Sequence, residues 1–451
     1  MVSMVREGEI SPTELVLAHL EQIDARNPEL NAFVSIFADE AREAAKAAES
    51  AMTRGEPLGL LHGALLTVKD SFDIAGQSTL AGSKLRVGHR AAEDASVVAR
   101  LRSEGAILLG RTNTPEMLAN YETDNFLTGR TNNPWNLART PGGSSGGEAS
   151  AIAAFCSAGG VGSDGGGSIR VPASFCGIAG LKPTPGRIPA LGHFPALGYP
   201  AGLTSVVGPM ARTAQDLRLL FAALASFEPR DPFSAPAPLV EPDTVGARIG
   251  VWPQFYRVPV DAGVASAVRR AAELLQDAGF RVEEFEPSGL ERAPNTWGFL
   301  FSQWPQLAAR RMYEGRENEV HWTLSEFWGD AVPTAEQALL QLAARDRMRA
   351  SLLRQMNGLS AILMPVCSVP AFEHRQRKWE IGGQSIGLFQ ATMPAVIANV
   401  LGLPAVAVPI LLSEDGLPLG VQLMGFPYGD ELLLDLAIQL EEARGPWTGP
   451  K

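Results

Sequence analysis

Pro141-Gly142-Gly143-Ser144-Ser145-Gly146-Gly147, followed by Gly162-Ser163-Asp164-Gly165-Gly166-Gly167-Ser168-Ile169-Arg170-Val171-Pro172, is the stretch on which the reading of this chain turns. It puts two serines, Ser144 and Ser168, in separate glycine-rich segments 24 residues apart. A serine hydroxyl is a weak nucleophile until a base takes its proton, and a lysine is such a base only when it is held neutral. Upstream lies Leu65-Leu66-Thr67-Val68-Lys69-Asp70, a short apolar run that reads as a buried strand ending on Lys69. Free lysine titrates near pH ~10.4, and burial lowers that because a desolvated ammonium is costly. The neighbouring Asp70 opposes that shift if its carboxylate turns inward, so it is expected to point elsewhere. The residues together read as a hydrolase with Lys69 as base, acting through one serine on another.

Two look-alike motifs overlap this region. Gly160-Val161-Gly162-Ser163-Asp164-Gly165 fits the spacing of a dinucleotide-binding loop. It lacks the strand before it, a long helix after it and the acidic residue about 20 positions on that such a loop needs. Gly142 to Gly147 fits a nucleophile elbow, but Leu137-Ala138-Arg139-Thr140-Pro141 is no strand. The histidine nearest in sequence, His193, sits in a Pro-rich loop and reads as a packing residue. A His-based serine hydrolase is the minor rival.

The segment from Pro141 to Pro172 resembles the amidase signature family. The likeness continues through Lys69-Asp70, Asn113-Thr114-Pro115-Glu116, Gly180-Leu181-Lys182-Pro183-Thr184, Gly208-Pro209-Met210-Ala211-Arg212-Thr213 and Gly402-Leu403-Pro404-Ala405, in the family's order. The resemblance implies Ser168 as nucleophile, Ser144 as bridging serine on a cis peptide bond and Lys69 as base. It implies amide hydrolysis through an acyl-enzyme. The chain departs from the pattern at Ser163, where Thr is usual, and at Gly165, where Ile or Thr is common; the latter is expected to soften the loop and enlarge the site. Beside such a nucleophile, the amides of Gly165, Gly166 and Gly167 suit an oxyanion hole, because glycines let successive N–H groups turn to one point. Ser145, Ser163, Asp164 and Arg170 are expected to hold these loops by hydrogen bonds. The stretch Met117 to Thr123 resembles the border of the family's acyl pocket, so Met117, Asn120 and Tyr121, with Phe389 as a further wall, are the candidate substrate contacts.

Composition limits the alternatives. Of 451 residues, 45% are hydrophobic and 19% charged, as in globular chains, and the net charge of -11 argues against a nucleic-acid partner. Three scattered cysteines, Cys156, Cys176 and Cys367, form neither a disulfide framework nor a Cys-x-x-Cys pair. No metal and no cofactor are expected, and a reducing cytoplasm fits. The start from Met1 to Pro12 is polar and charged, unlike a signal peptide. The longest apolar run, Ala395 to Leu412, contains Pro404 and Pro409 and reads as a helix, a turn and a buried strand, not a membrane span.

Along the chain, short apolar strands alternate with helices. Ser11-Pro12-Thr13-Glu14 is a capping box that opens a helix, and further helices are expected over Ala38 to Thr53, Ser96 to Glu104, Asp261 to Ala278 and Glu431 to Ala443. Strands are expected at Leu65 to Val68, Ile107 to Gly110, Ile249 to Trp252, Ala361 to Pro365 and Leu417 to Met424. The Gly- and Pro-rich stretches Thr140 to Gly147, Gly159 to Gly167 and Thr184 to Pro200 read as loops. The expected fold is α/β: one domain over 1–451, with a central mostly parallel or mixed twisted sheet covered by helices on both faces. A more variable, peripheral, largely helical region is expected over 228–375. Its tryptophans Trp297, Trp304, Trp322 and Trp328 either cap an apolar substrate or pack helices on the sheet. The expected substrate is a small apolar or aryl amide, with aryl carbamates (urethanes) and esters beside it, and the enzyme a monomer or homodimer. The alternatives are the glutaminase subunit of a tRNA-dependent amidotransferase and a non-catalytic scaffold on this fold.

Overall fold

The computed structural model describes residues 1–329 and 332–450. Its strands are β1 (Phe33–Ile36), β2 (Leu65–Lys69), β3 (Ile107–Thr112), β4 (Gly159–Asp164), β5 (Ala179–Lys182), β6 (Val206–Ala211), β7 (Arg248–Val251), β8 (Arg281–Glu284), β9 (Ala361–Pro365), β10 (Lys378–Ile381), β11 (Gln384–Gly387), β12 (Ala405–Leu412) and β13 (Pro418–Gly425). An 11-stranded sheet runs in the order β1-β3-β2-β4-β6-β5-β12-β13-β9-β7-β8, while β10 and β11 pair apart as a hairpin. The sheet is mixed. Its parallel pairs, β2 with β3 and β4 and β7 with β8 and β9, are outnumbered by antiparallel ones, so of the two expected forms the sheet takes the mixed one.

Alternation along the strands builds a core on each face. In β9, Ala361 and Leu363 enter one cluster, with Leu274 and Leu433 of the helices Ala262–Asp277 and Asp430–Arg444; Ile362 and Met364 enter another, with Trp297 and Leu352. The first long helix, Pro12–Leu30, starts as its capping box dictates. Ser11 Oγ accepts from the Glu14 amide at 3.1 Å, and the Glu14 carboxylate accepts from the Ser11 amide at 2.9 Å. Such a cap contributes about 1 kcal/mol. Among the described residues, no helix is long and apolar enough to cross a membrane. Segment 228–375 supplies β7, β8 and β9 to one side of the sheet, and its Trp297 lies fully inside the molecule.

One expected loop is a strand. Gly159–Asp164 is β4, within the sheet between β2 and β6. Glycine has poor strand propensity, so sequence patterning reads this run as a turn. Here the glycines serve close approach instead. The buried helix Gly146–Ala153 packs against β4. A Cβ on Gly160 would overlap the Glu148 carboxylate and the Thr67 carbonyl, and one on Gly162 would stand 2.7 Å from Ser145 Oγ. Gly160→Ala is therefore expected to destabilise the fold by about 3 kcal/mol or more. Gly298→Ala, where a Cβ meets open space, serves as the control and is expected to be neutral or stabilising by up to about 1 kcal/mol. Denaturant unfolding of both variants checks the contrast.

Candidate active site

Lys69 ends β2 and is fully buried. Its Nζ lies 2.7 Å from Ser144 Oγ, 3.0 Å from Ser145 Oγ and 3.2 Å from Ser163 Oγ. Three hydroxyls thus surround one nitrogen. A neutral amine has two N–H donors and one lone pair, so it can donate to two of these hydroxyls and accept from the third. Ser145 Oγ also donates to the Ser163 carbonyl at 3.4 Å, which makes it an acceptor toward Lys69. Burial brings the lysine down to about 7, against the opposing pull of the Asp164 and Glu148 carboxylates. The Asp70 carboxylate is directed to Arg111 at 3.5 Å and to the Leu80 amide at 3.4 Å.

Ser144 follows a cis Gly143–Ser144 bond, and its carbonyl accepts from Thr114 Oγ1 at 2.9 Å. Ser168 lies between β4 and the helix Arg170–Cys176, and its carbonyl accepts from the Ser145 amide at 3.1 Å. Both serines line one cavity, and their hydroxyls make no hydrogen bond to each other. Asp164 holds the intervening loop. Its carboxylate accepts from the Gly167 amide at 2.7 Å, the Ile169 amide at 3.2 Å and Arg170 Nε at 3.0 Å. Burial alone would raise its pKa, but the charge and hydrogen bonds of Arg170 outweigh it and hold the acid well below the ordinary range. Arg170 in turn donates to Gln422 and Asn399 at 2.6 Å each, which ties the loop to β13 and to the helix Met393–Val400.

Two expectations about the glycines change. The Gly167 amide is committed to Asp164, so it leaves the set of oxyanion donors; the amides of Gly165, Gly166 and Ser168 have no acceptor among the described residues. Gly165 does not enlarge the site. The place of its missing side chain is taken by the Phe301 ring, with Ser205 Oγ 2.6 Å from where a Cβ would stand.

The cavity holds about 450 Å³ and is walled by Leu118, Phe194, Leu197, Phe301, Phe327 and Trp328, with Met117 beside them. Of the four expected substrate contacts, only Met117 lines it. Asn120 donates to the Thr323 carbonyl and to Glu326, and Tyr121 donates to the Gly166 carbonyl; both line a small side recess that Ser168 also lines, while Phe389 stacks on Trp297. The tryptophans divide. Trp328 faces the cavity, whereas Trp297 lines the side recess next to Ser168 and donates to the Gly165 carbonyl. Among the described residues no histidine hydrogen-bonds either serine. His193 reaches the cavity wall, its Nδ1 lies 2.7 Å from the Pro195 carbonyl, and burial brings its pKa down to about 3.

Glu148 was not legible in the sequence. It is fully buried, accepts from Thr112 Oγ1 at 2.6 Å and also from Thr67 Oγ1, and is raised by burial to about 7. The sequence signal available for it is its place in Gly-Gly-Glu-Ala-Ser, one helical turn after the serines.

The family described as Amidase matches residues 14–434. The chain belongs to the amidase family. An indoleacetamide hydrolase of Bradyrhizobium diazoefficiens is 36% identical over 98% of this chain and 85% of its own length. A glutamyl-tRNA(Gln) amidotransferase subunit from Anaeromyxobacter dehalogenans is 33% identical over 98% of this chain and 94% of its own length. The crystal structure of a bacterial aryl acylamidase of the amidase signature family superposes with a TM-score of 0.85 at 28% identity, covering 99% of this chain and 95% of that one. This amidase is thus an amide hydrolase on a single α/β domain. Its buried ion pair carries a prediction: Asp164→Asn leaves Arg170 charged and unpaired in the interior, and is expected to cost the amidase about 3 to 5 kcal/mol of stability. Denaturant unfolding measures it, and a loss under about 1 kcal/mol contradicts the role of the pair.

Proposed function

We propose that this amidase cleaves small apolar or aryl amides through an acyl-enzyme on Ser168. The observation that carries the reading is a fully buried lysine, drawn down to about 7 by its burial and ringed by hydroxyls, beside two serines that line an apolar cavity. Lys69 takes the proton of Ser144, and Ser144 takes that of Ser168 as its Oγ attacks the carbonyl carbon. The carbonyl oxygen gains the charge and is met by the amides of Gly165, Gly166 and Ser168. As the tetrahedral intermediate collapses, the C–N bond breaks and the proton returns along the same path to the nitrogen, which needs it to leave. Water then adds to the acyl carbon and frees Ser168. Ser144 and Ser168 make no hydrogen bond in the unliganded site, and such contacts commonly close only around a substrate.

The substrate class follows from the wall. Among the described residues, no lysine or arginine lines the cavity to meet an α-carboxylate. Arg187, a basic residue that could have served, pairs with Glu431 at 2.5 Å and stands near Asp430. An apolar or aryl acyl group is favoured over glutamine, and aryl carbamates and esters present the same carbonyl to the same serine. The indoleacetamide hydrolase and aryl acylamidase relatives support this reading, and the amidotransferase relative is its competitor.

Two measurements test it. Only the neutral amine accepts a proton, and the neutral fraction grows as pH rises through the lysine's pKa. The acid limb of kcat/KM is therefore expected near pH 7, where a free lysine would place it near ~10.4. A flat profile from about pH 6 to 9 contradicts a lysine base. In the second, kcat/KM for an anilide or aryl carbamate is expected to exceed that for glutamine by at least tenfold, about 1.4 kcal/mol of transition-state binding. A tenfold preference for glutamine would install the amidotransferase reading instead.

A further inference from the structure

The glycine loop that carries the oxyanion amides is flexible by composition, since glycine restricts neither φ nor ψ. Yet two side chains from distant parts of the sequence hold its carbonyls. Trp297 Nε1 donates to the Gly165 carbonyl at 2.6 Å, and the Tyr121 hydroxyl donates to the Gly166 carbonyl at 2.8 Å. Both peptide units are trans, and in a trans unit the N–H points opposite to the C=O. The first bond therefore turns the Gly166 N–H away from the indole. The second turns the Gly167 N–H away from the phenol, where it meets Asp164 Oδ1 at 2.7 Å. Two successive peptide planes are thereby fixed. One N–H is absorbed by Asp164, and the other, on Gly166, has no acceptor among the described residues.

We propose that Trp297 and Tyr121 are positioning residues that clamp this loop and aim the Gly166 amide at the oxygen of the reacting carbonyl. The clamp is rigid on its own account. Trp297 is 1% exposed and stacks on Phe301 with centroids 4.9 Å apart and planes at 14°. A Cβ on Gly166 would run into the indole, so the glycine is what lets ring and loop touch. Tyr121 is 4% exposed, and burial pushes its phenol above the ordinary range, which keeps it a donor at any working pH. A preorganised donor stabilises the developing oxyanion without reorganising at the moment of reaction. The proposal rests on Ser168 being the nucleophile.

The test uses Trp297→Phe, which keeps a ring and removes the N–H, and Tyr121→Phe, which removes only the hydroxyl. In each, kcat for an anilide is expected to fall at least tenfold while KM moves less than threefold. An aryl ester is expected to lose the same factor, because both substrates share the oxyanion. Affinity for an aryl trifluoromethyl ketone, which adds to a serine as a tetrahedral adduct, is expected to fall in parallel, while affinity for the product carboxylic acid stays. A merely structural role would move the unfolding temperature and the binding of both ligands alike, and that result overturns the clamp. A wild-type adduct seen by fluorine NMR, with unchanged ketone affinity in both variants, overturns the clamp alone. Absence of any adduct in the wild type overturns the Ser168 reading and the clamp with it. If Trp297→Phe fails to fold, Tyr121→Phe reads the same quantity.

Discussion

Removing an ammonium from water is the constraint around which this molecule is arranged. A buried lysine is tolerable when its proton becomes easier to lose or finds partners, and Lys69 has both, with three serine hydroxyls around Nζ and its pKa drawn down to about 7. That environment needs strands on both sides of β2 and loops that bring hydroxyls in from two other places in the chain. The sheet supplies the first, with β2 between β3 and β4. The serine loops before the helix Gly146–Ala153 and at the end of β4 supply the second.

Glycine does the spatial work. In β4, Gly160 and Gly162 give way to Glu148 and Ser145, so the helix that follows the first serines lies hard against the sheet. In the next loop, Gly165 and Gly166 give way to Phe301 and Trp297. These glycines replace side chains with the side chains of other segments. The space they create is filled, not left open, and the cavity beside the serines is walled by Leu118, Phe194, Leu197, Phe301, Phe327 and Trp328.

Buried charge is settled locally. Asp164 and Arg170 neutralise each other, and Asn399, Gln422 and backbone amides complete their hydrogen bonds. This satisfied network holds the backbone on both sides of Ser168, and a buried ion pair is costly to misplace. Glu148, raised to about 7, and Asp164, held ionised, are the two carboxylates that oppose the desolvation of Lys69.

The sequence by itself determined the α/β class, the capping box at Ser11, most helices and apolar strands, and the grouping of Lys69 with two serine loops. These are local patterns, or chemistry that few residue types can perform. Only the tertiary structure decided the rest. Whether Gly159–Asp164 is loop or strand depends on what packs against it, and composition carries no record of that. Whether Gly165 opens space depends on Phe301, which is far from it in sequence. Asn120 and Tyr121 line a side recess next to Ser168 and Phe389 stays off the main cavity, because their directions follow from contacts with Thr323, Gly166 and Trp297. Which amides of a glycine loop stay free is set by where its carbonyls are held, and the holders, Trp297 and Tyr121, meet only when the chain is folded.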